Sequence, residues 1–128
     1  MHLYDPWEHA ASLGITVVYY PLRTSKGMWV PERRMIFLRS QQRAFVERCV
    51  LAHELAHAEN GDPTGHHPRY EARANRIAAE RLINPRDLSE LVRVYSDGDQ
   101  ICRELGVTRE LFTAYWDEYG GCNNRHIA

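Results

Sequence analysis

Apolar and polar positions along the chain divide it into short elements separated by clear stops. Pro6 to Leu13 reads as a helix, with Asp5 as its N-cap, Pro6 at the first helical position and Gly14 as its stop. Ile15 to Tyr20 is β-branched and aromatic, which predicts a strand that Pro21 ends. After the polar break Arg-Thr-Ser-Lys-Gly, Met28-Trp29-Val30 predicts a second strand. Pro31 to Arg34 then supplies a turn, and Met35 to Leu38 a third strand. A longer helix is predicted from about Gln41 to Glu59, with Asn60-Gly61 as its stop. Phe45, Cys49, His53 and His57 follow one another at four-residue steps, and Val46, Val50 and Leu51 widen the apolar surface around them. That stripe is expected to face the sheet.

The second half reads as helical. Asp62 to Pro68 is a turn-rich loop, followed by a helix from about Arg69 to Ile83 that Asn84-Pro85 ends. Its alanines at 72, 74, 78 and 79 permit close approach by another helix. Further helices are predicted over Arg86–Tyr95, Gln100–Leu105 and Thr108 to about Tyr119, with turns at Ser96–Asp99 and Gly106. The tail, residues 121–128, is polar and is expected to be loose. The pattern as a whole predicts an α+β fold, with a small three-stranded sheet packed on the long helix and a helical C-terminal part.

Bulk properties narrow the function classes. A chain of 128 residues is expected to form one domain, residues 1–128, and is long enough to bury a core. A net charge of −1 gives no sign of a general polyanion binder. The first residues have neither the basic start nor the apolar run of a signal peptide, and no stretch reaches membrane-spanning length. Three cysteines at irregular spacing argue against a disulfide framework and fit a reducing cytoplasm.

The chemistry concentrates in Val50-Leu-Ala-His53-Glu54-Leu-Ala-His57-Ala, an HExxH sequence. Two histidines four residues apart on a helix project from one face, where they can share a metal ion. Glu54 is placed to reach a water on that metal and act as its base. Leu, Ala and Ala between these residues favour helix. Cys49, one turn before His53, reads as core rather than as a soft ligand.

A catalytic zinc site needs a third protein ligand. The metzincin pattern fails, because it requires Gly and His where Asn60 and Pro63 stand. Glu71, early on the next helix, is the preferred third ligand, since a carboxylate on a rigid element completes a His2Glu set. His66 and His67 are the alternatives, with solvent exposure or a supporting contact as their expected role.

HELAH followed by Glu71-Ala-Arg-Ala-Asn75-Arg-Ile-Ala78-Ala-Glu-Arg-Leu-Ile-Asn84-Pro85 resembles the ImmA/IrrE family of zinc peptidases. Glu71, Ala74, Asn75, Ala78 and Pro85 match that family's second helix. A helix, a strand and a hairpin opened by Gly27 match its upstream pattern, and Leu105-Gly106-Val107-Thr108 resembles its turn near the C-terminus. Ile77 and Asn84 depart from it, which bears on packing and substrate preference rather than on the metal. The resemblance spans roughly residues 5 to 119. It implies a minimal zincin-like fold, a Zn(2+) cofactor on His53, His57 and Glu71, and Glu54 as catalytic base. It also implies a phage- or mobile-element-type protease acting on helix-turn-helix repressors.

Two further roles stay open. Tyr70, Tyr95, Arg73 and Arg76 are candidate donors to the oxyanion formed on peptide cleavage. The hairpin, Met28 to Leu38 and within it Met35, Ile36, Phe37 and Leu38, is the expected reader of an extended peptide. Two rival readings are a metal-bound but inactive interaction module and a DNA-binding regulator, since the last two helices imitate a helix-turn-helix. Against the first stands the intact Glu54. Against the second, Glu110, Asp117 and Glu118 on the would-be recognition helix would repel phosphates.

Overall fold

The computed structural model describes residues 3–120. The expectation for the tail therefore lies outside the described residues. Helix α1 spans Pro6–Ser12, and Asp5 caps it by accepting from the N–H groups of Trp7 and Glu8. Strands β1 (Thr16–Tyr20), β2 (Gly27–Val30) and β3 (Met35–Arg39) follow, with a 3-10 turn at Pro31–Arg33 between the last two. That turn ends on Arg34 in the left-handed region (φ 50°), a conformation costly for a residue with a Cβ. The Arg34 guanidinium donates to the Leu13 carbonyl at 2.6 Å, tying the turn to the end of α1.

Helix α2 spans Ala44–Glu59 and starts three residues later than the sequence pattern suggests. Gln41 stands in the left-handed region (φ 66°), which breaks the helix before it begins. The Gln42 amide donates to the carbonyls of Lys26 and Arg39, holding this turn against the hairpin. Four helices follow: α3 (Pro68–Leu82), α4 (Pro85–Val94), α5 (Gly98–Leu105) and α6 (Arg109–Tyr119). His67 caps α3 and Asn84 caps α4, each followed by a proline at the first helical position. Gly106 closes α5 at φ 71°, where glycine carries no Cβ penalty. Thr108 begins α6 without a side-chain cap.

The three strands form one mixed sheet in the order β1-β3-β2. β1 runs parallel to β3, and β2 runs antiparallel to it. This is an α+β fold of the minimal zincin-like kind. β3 is thus the interior strand and pairs on both sides. The expected peptide reader Met35, Ile36, Phe37 and Leu38 has its main-chain groups committed to β1 and β2 and offers no edge to a peptide. The open edge beside α2 belongs to β2.

Helix α2 lies between two apolar cores. Leu51 and Leu55 pack with Ile15, Trp29, Ile36 and Leu38 on the sheet side. Cys49 and Ala52 pack with Ala78, Ala79, Ile101, Leu111 and Phe112 on the helical side. The histidine stripe continues the Cys49 side, so His53 and His57 face α3 rather than the sheet. The expected placement is corrected for a simple reason. A helix covered on both sides has no single apolar stripe to mark its inner face. Helix α6 buries Leu111, Phe112 and Tyr115 and leaves Glu110, Asp117 and Glu118 outward. No helix among the described residues is long and apolar enough to cross a membrane.

Candidate metal centre

His53 and His57 lie one turn apart on α2, and Glu71 lies in the first turn of α3. The two helices bring one ligand atom from each within 4.8 Å of one another, a group that could hold a metal ion. The two Nε2 atoms stand 3.1 Å apart. Glu71 Oε2 lies 2.5 Å from Nε2 of His57, and its Oε1 lies 3.3 Å from Nε2 of His53. The donor atoms of all three side chains therefore converge from two rigid elements.

The outer ring nitrogens explain why the inner ones are available. Nδ1 of His53 donates to Oδ1 of Asn75 at 2.8 Å. Nδ1 of His57 donates to Oδ2 of Asp62 at 2.9 Å. Amide and carboxylate oxygens accept only, so both Nδ1 atoms carry a proton, and both Nε2 atoms are turned inward as the atoms that a metal would take. Asp62 is buried and also receives the Arg73 guanidinium. Burial raises its pKa, but Arg73 and His57 outweigh that and hold its carboxyl below the usual range. Glu71 behaves alike. Burial pushes its pKa up, and the hydrogen bond from His53 with the charges of both histidines brings it down to about 2. His53 is raised, since Glu71 and Glu54 overcome the opposite effect of burial. Two neutral imidazoles and an ionised carboxylate form a donor set that suits zinc.

Glu54 sits beside this group without joining it. Its side chain is buried, its carboxylate accepts from the Trp29 N–H, and Oε2 lies 4.0 Å from Nε2 of His53. Burial raises its pKa against the lowering charges of His53 and His57. Gly27 makes the close approach of β2 possible. A Cβ there would lie 2.5 Å from Cγ1 of Val50 and 3.2 Å from Cγ of Glu54.

Two cavities of about 230 and 200 Å³ open over the cluster and share Gly27, Glu54 and Glu71 in their walls. Together they make a groove between the β2 edge and α3. None of the four proposed oxyanion donors lines it. Tyr70 packs on His67 under the Arg73 guanidinium, Arg73 serves Asp62, Tyr95 packs on the helical core, and Arg76 is exposed. Besides Glu54 and Glu71, the polar side chains that line both cavities are Thr24, Ser25 and His66. His66 is exposed, with Nδ1 3.4 Å from Oε1 of Glu71, and His67 accepts from the Arg69 N–H as the cap of α3. Cys49 is a buried free thiol of the helical core.

The decisive comparison is with protein families. The model of the IrrE N-terminal-like domain, a peptidase family, matches residues 10–114. The chain belongs to the IrrE N-terminal-like peptidase family. Among curated proteins no relative matches it. An IrrE-like peptidase is a metallopeptidase in general type, and its substrate is a protein. The match covers every element from α1 into α6, so the metal cluster and both cavities lie within it. Sequence reading missed Asp62 as a partner of His57, although a carboxylate just past the Asn60-Gly61 stop is a usable signal. Asn75 stood in the motif with no role until its contact with His53 supplied one.

Proposed function

We propose that this IrrE-like peptidase is a zinc-dependent endopeptidase that cuts a regulatory protein, a helix-turn-helix repressor, in the cytoplasm. Zinc held by His53, His57 and Glu71 would supply a Lewis acid that polarises the scissile carbonyl and acidifies a water. Glu54 acts as the base, taking a proton from the attacking water and passing it to the leaving amine. Asn75 and Asp62 keep the two imidazoles in the tautomer and orientation that ligation needs.

The observation that carries this reading is the placement of Glu54. It is buried, fixed by a main-chain N–H, next to the ligand group and outside it. A site that only binds metal has no need of a carboxylate held in that position. The upward shift caused by burial suits a group that must both accept and return a proton.

The repressor as substrate rests on the family resemblance. The groove adds that the substrate segment must be locally extended, because it lies between a strand edge and a helix. A folded repressor exposes such a segment in a linker or a frayed helix end. The test is incubation with repressors encoded beside this gene, with and without chelator, followed by mass mapping of the products. Chelator-sensitive cuts that vanish in Glu54→Gln while zinc content stays at one per chain support the reading. Cuts that persist in Glu54→Gln, or no cut in any partner, overturn it.

A further inference from the structure

The β2 edge that borders the metal cluster is already half occupied. Within the β2–β3 pair the Arg39 N–H donates to the Lys26 carbonyl at 2.9 Å, and Met28 stands opposite Phe37. Alternation along a strand therefore turns the main-chain groups of Lys26, Met28 and Val30 toward β3 and those of Gly27 and Trp29 outward. Both outward groups of Trp29 are engaged. Its N–H donates to the Glu54 carboxylate, and its carbonyl accepts from the Thr64 hydroxyl at 3.0 Å. The outward groups of Gly27 carry no partner among the described residues.

An extended peptide adds to an edge most favourably in antiparallel sense. Against β2 it would run from the Trp29 end toward Gly27. Its residues before the cut then meet Thr64, and its residues after the cut meet Gly27 and the larger cavity. The apolar side chains in its walls are Cys49, Val50 and Leu111. At its mouth Lys26 and Glu110 pair at 3.9 Å, so the wall there carries no net charge to select one sign of side chain.

We propose that Thr64 is a specificity-determining residue, whose hydroxyl holds the main-chain acceptor at Trp29. The peptidase then reads its substrate on the C-terminal side of the cut and prefers an apolar side chain directly after it. This inference rests on the peptidase reading above. One main-chain hydrogen bond and one filled cavity are at stake, enough for about tenfold in affinity.

The test uses two peptidyl hydroxamates with the zinc-loaded chain, one carrying its peptide on the C-terminal side of the chelating group and one on the N-terminal side. Titration calorimetry should show the first binding about tenfold tighter, with a leucine-type side chain next to the chelator better than a charged one. Thr64→Val keeps the shape of an exposed residue and removes the donor. It should tighten the N-terminal-side compound several-fold and leave the other unchanged. Equal binding of the two compounds, or a Thr64→Val variant with the same gap as the parent, overturns the inference. If repressor cleavage persists in that case, the peptidase reading stands without it. Failure of both compounds to bind the zinc-loaded chain overturns the two together.

Discussion

Nδ1 of His57 stands 2.9 Å from Oδ2 of the buried Asp62, five residues further along the chain. This contact couples the end of α2 to its following loop and fixes which ring nitrogen faces the metal. Asp62→Ala should lower zinc affinity about 10- to 100-fold, and Asn75→Ala should do the same through His53. Competition against a chromophoric chelator reads the loss, with circular dichroism to show that the helices remain. Unchanged affinity in both variants would mean that the imidazoles orient themselves.

Glu71 and His66 compete for the role of third ligand on different geometric grounds. Glu71 approaches both Nε2 atoms from a helix, whereas His66 stands in solvent with its Nδ1 near Glu71 rather than near either Nε2. Glu71→Ala should therefore abolish tight zinc binding, and His66→Ala should leave zinc stoichiometry at one per chain. The reverse pattern would transfer ligation to the loop.

Gly27 leaves no room for a side chain where β2 crosses α2. Gly27→Ala should cost about 1–3 kcal/mol in a denaturant titration through overpacking against Val50 and Glu54. Val50→Ala removes the nearer obstacle. The double variant should recover most of the loss, and additive losses would place the strain elsewhere.

Proton release is a further consequence. In the metal-free chain Glu71 and Glu54 raise the pKa of His53, so its imidazolium persists to higher pH than an ordinary histidine. Glu71, at about 2, is ionised throughout the neutral range and binds no proton to be displaced. Zinc requires neutral His53, so apparent affinity should climb with pH between about 6 and 8. Calorimetry in two buffers of different ionisation enthalpy should detect a released proton. An affinity flat across that window would contradict the raised imidazole.

Much of the architecture was legible because its signals are local. Asp5-Pro6, Pro68, Asn84-Pro85 and Gly106 mark helix ends through capping and fixed φ, and each lies at or beside an observed boundary. Residue type and spacing point to His53, His57 and Glu71, and the fold brings one ligand atom of each together. The start of α2 was misplaced because Gln41 adopts a left-handed conformation that its residue type does not announce. Thr64 and Asp62 had no periodic signal at all, since both stand in the loop between α2 and α3 and loop side chains follow no repeat.

The sequence by itself determined the elements, the metal-binding residue types and the family, since those depend on neighbours within a few positions along the chain. Tertiary structure alone decided which strand is interior. β1 returns to pair in parallel with β3, a contact set by burial across the whole sheet, and so it leaves β2 as the edge beside the metal. Tertiary structure also decided that the histidines face α3. With apolar cores on both sides of α2, only the packing of whole elements selects the face that stays open to a groove.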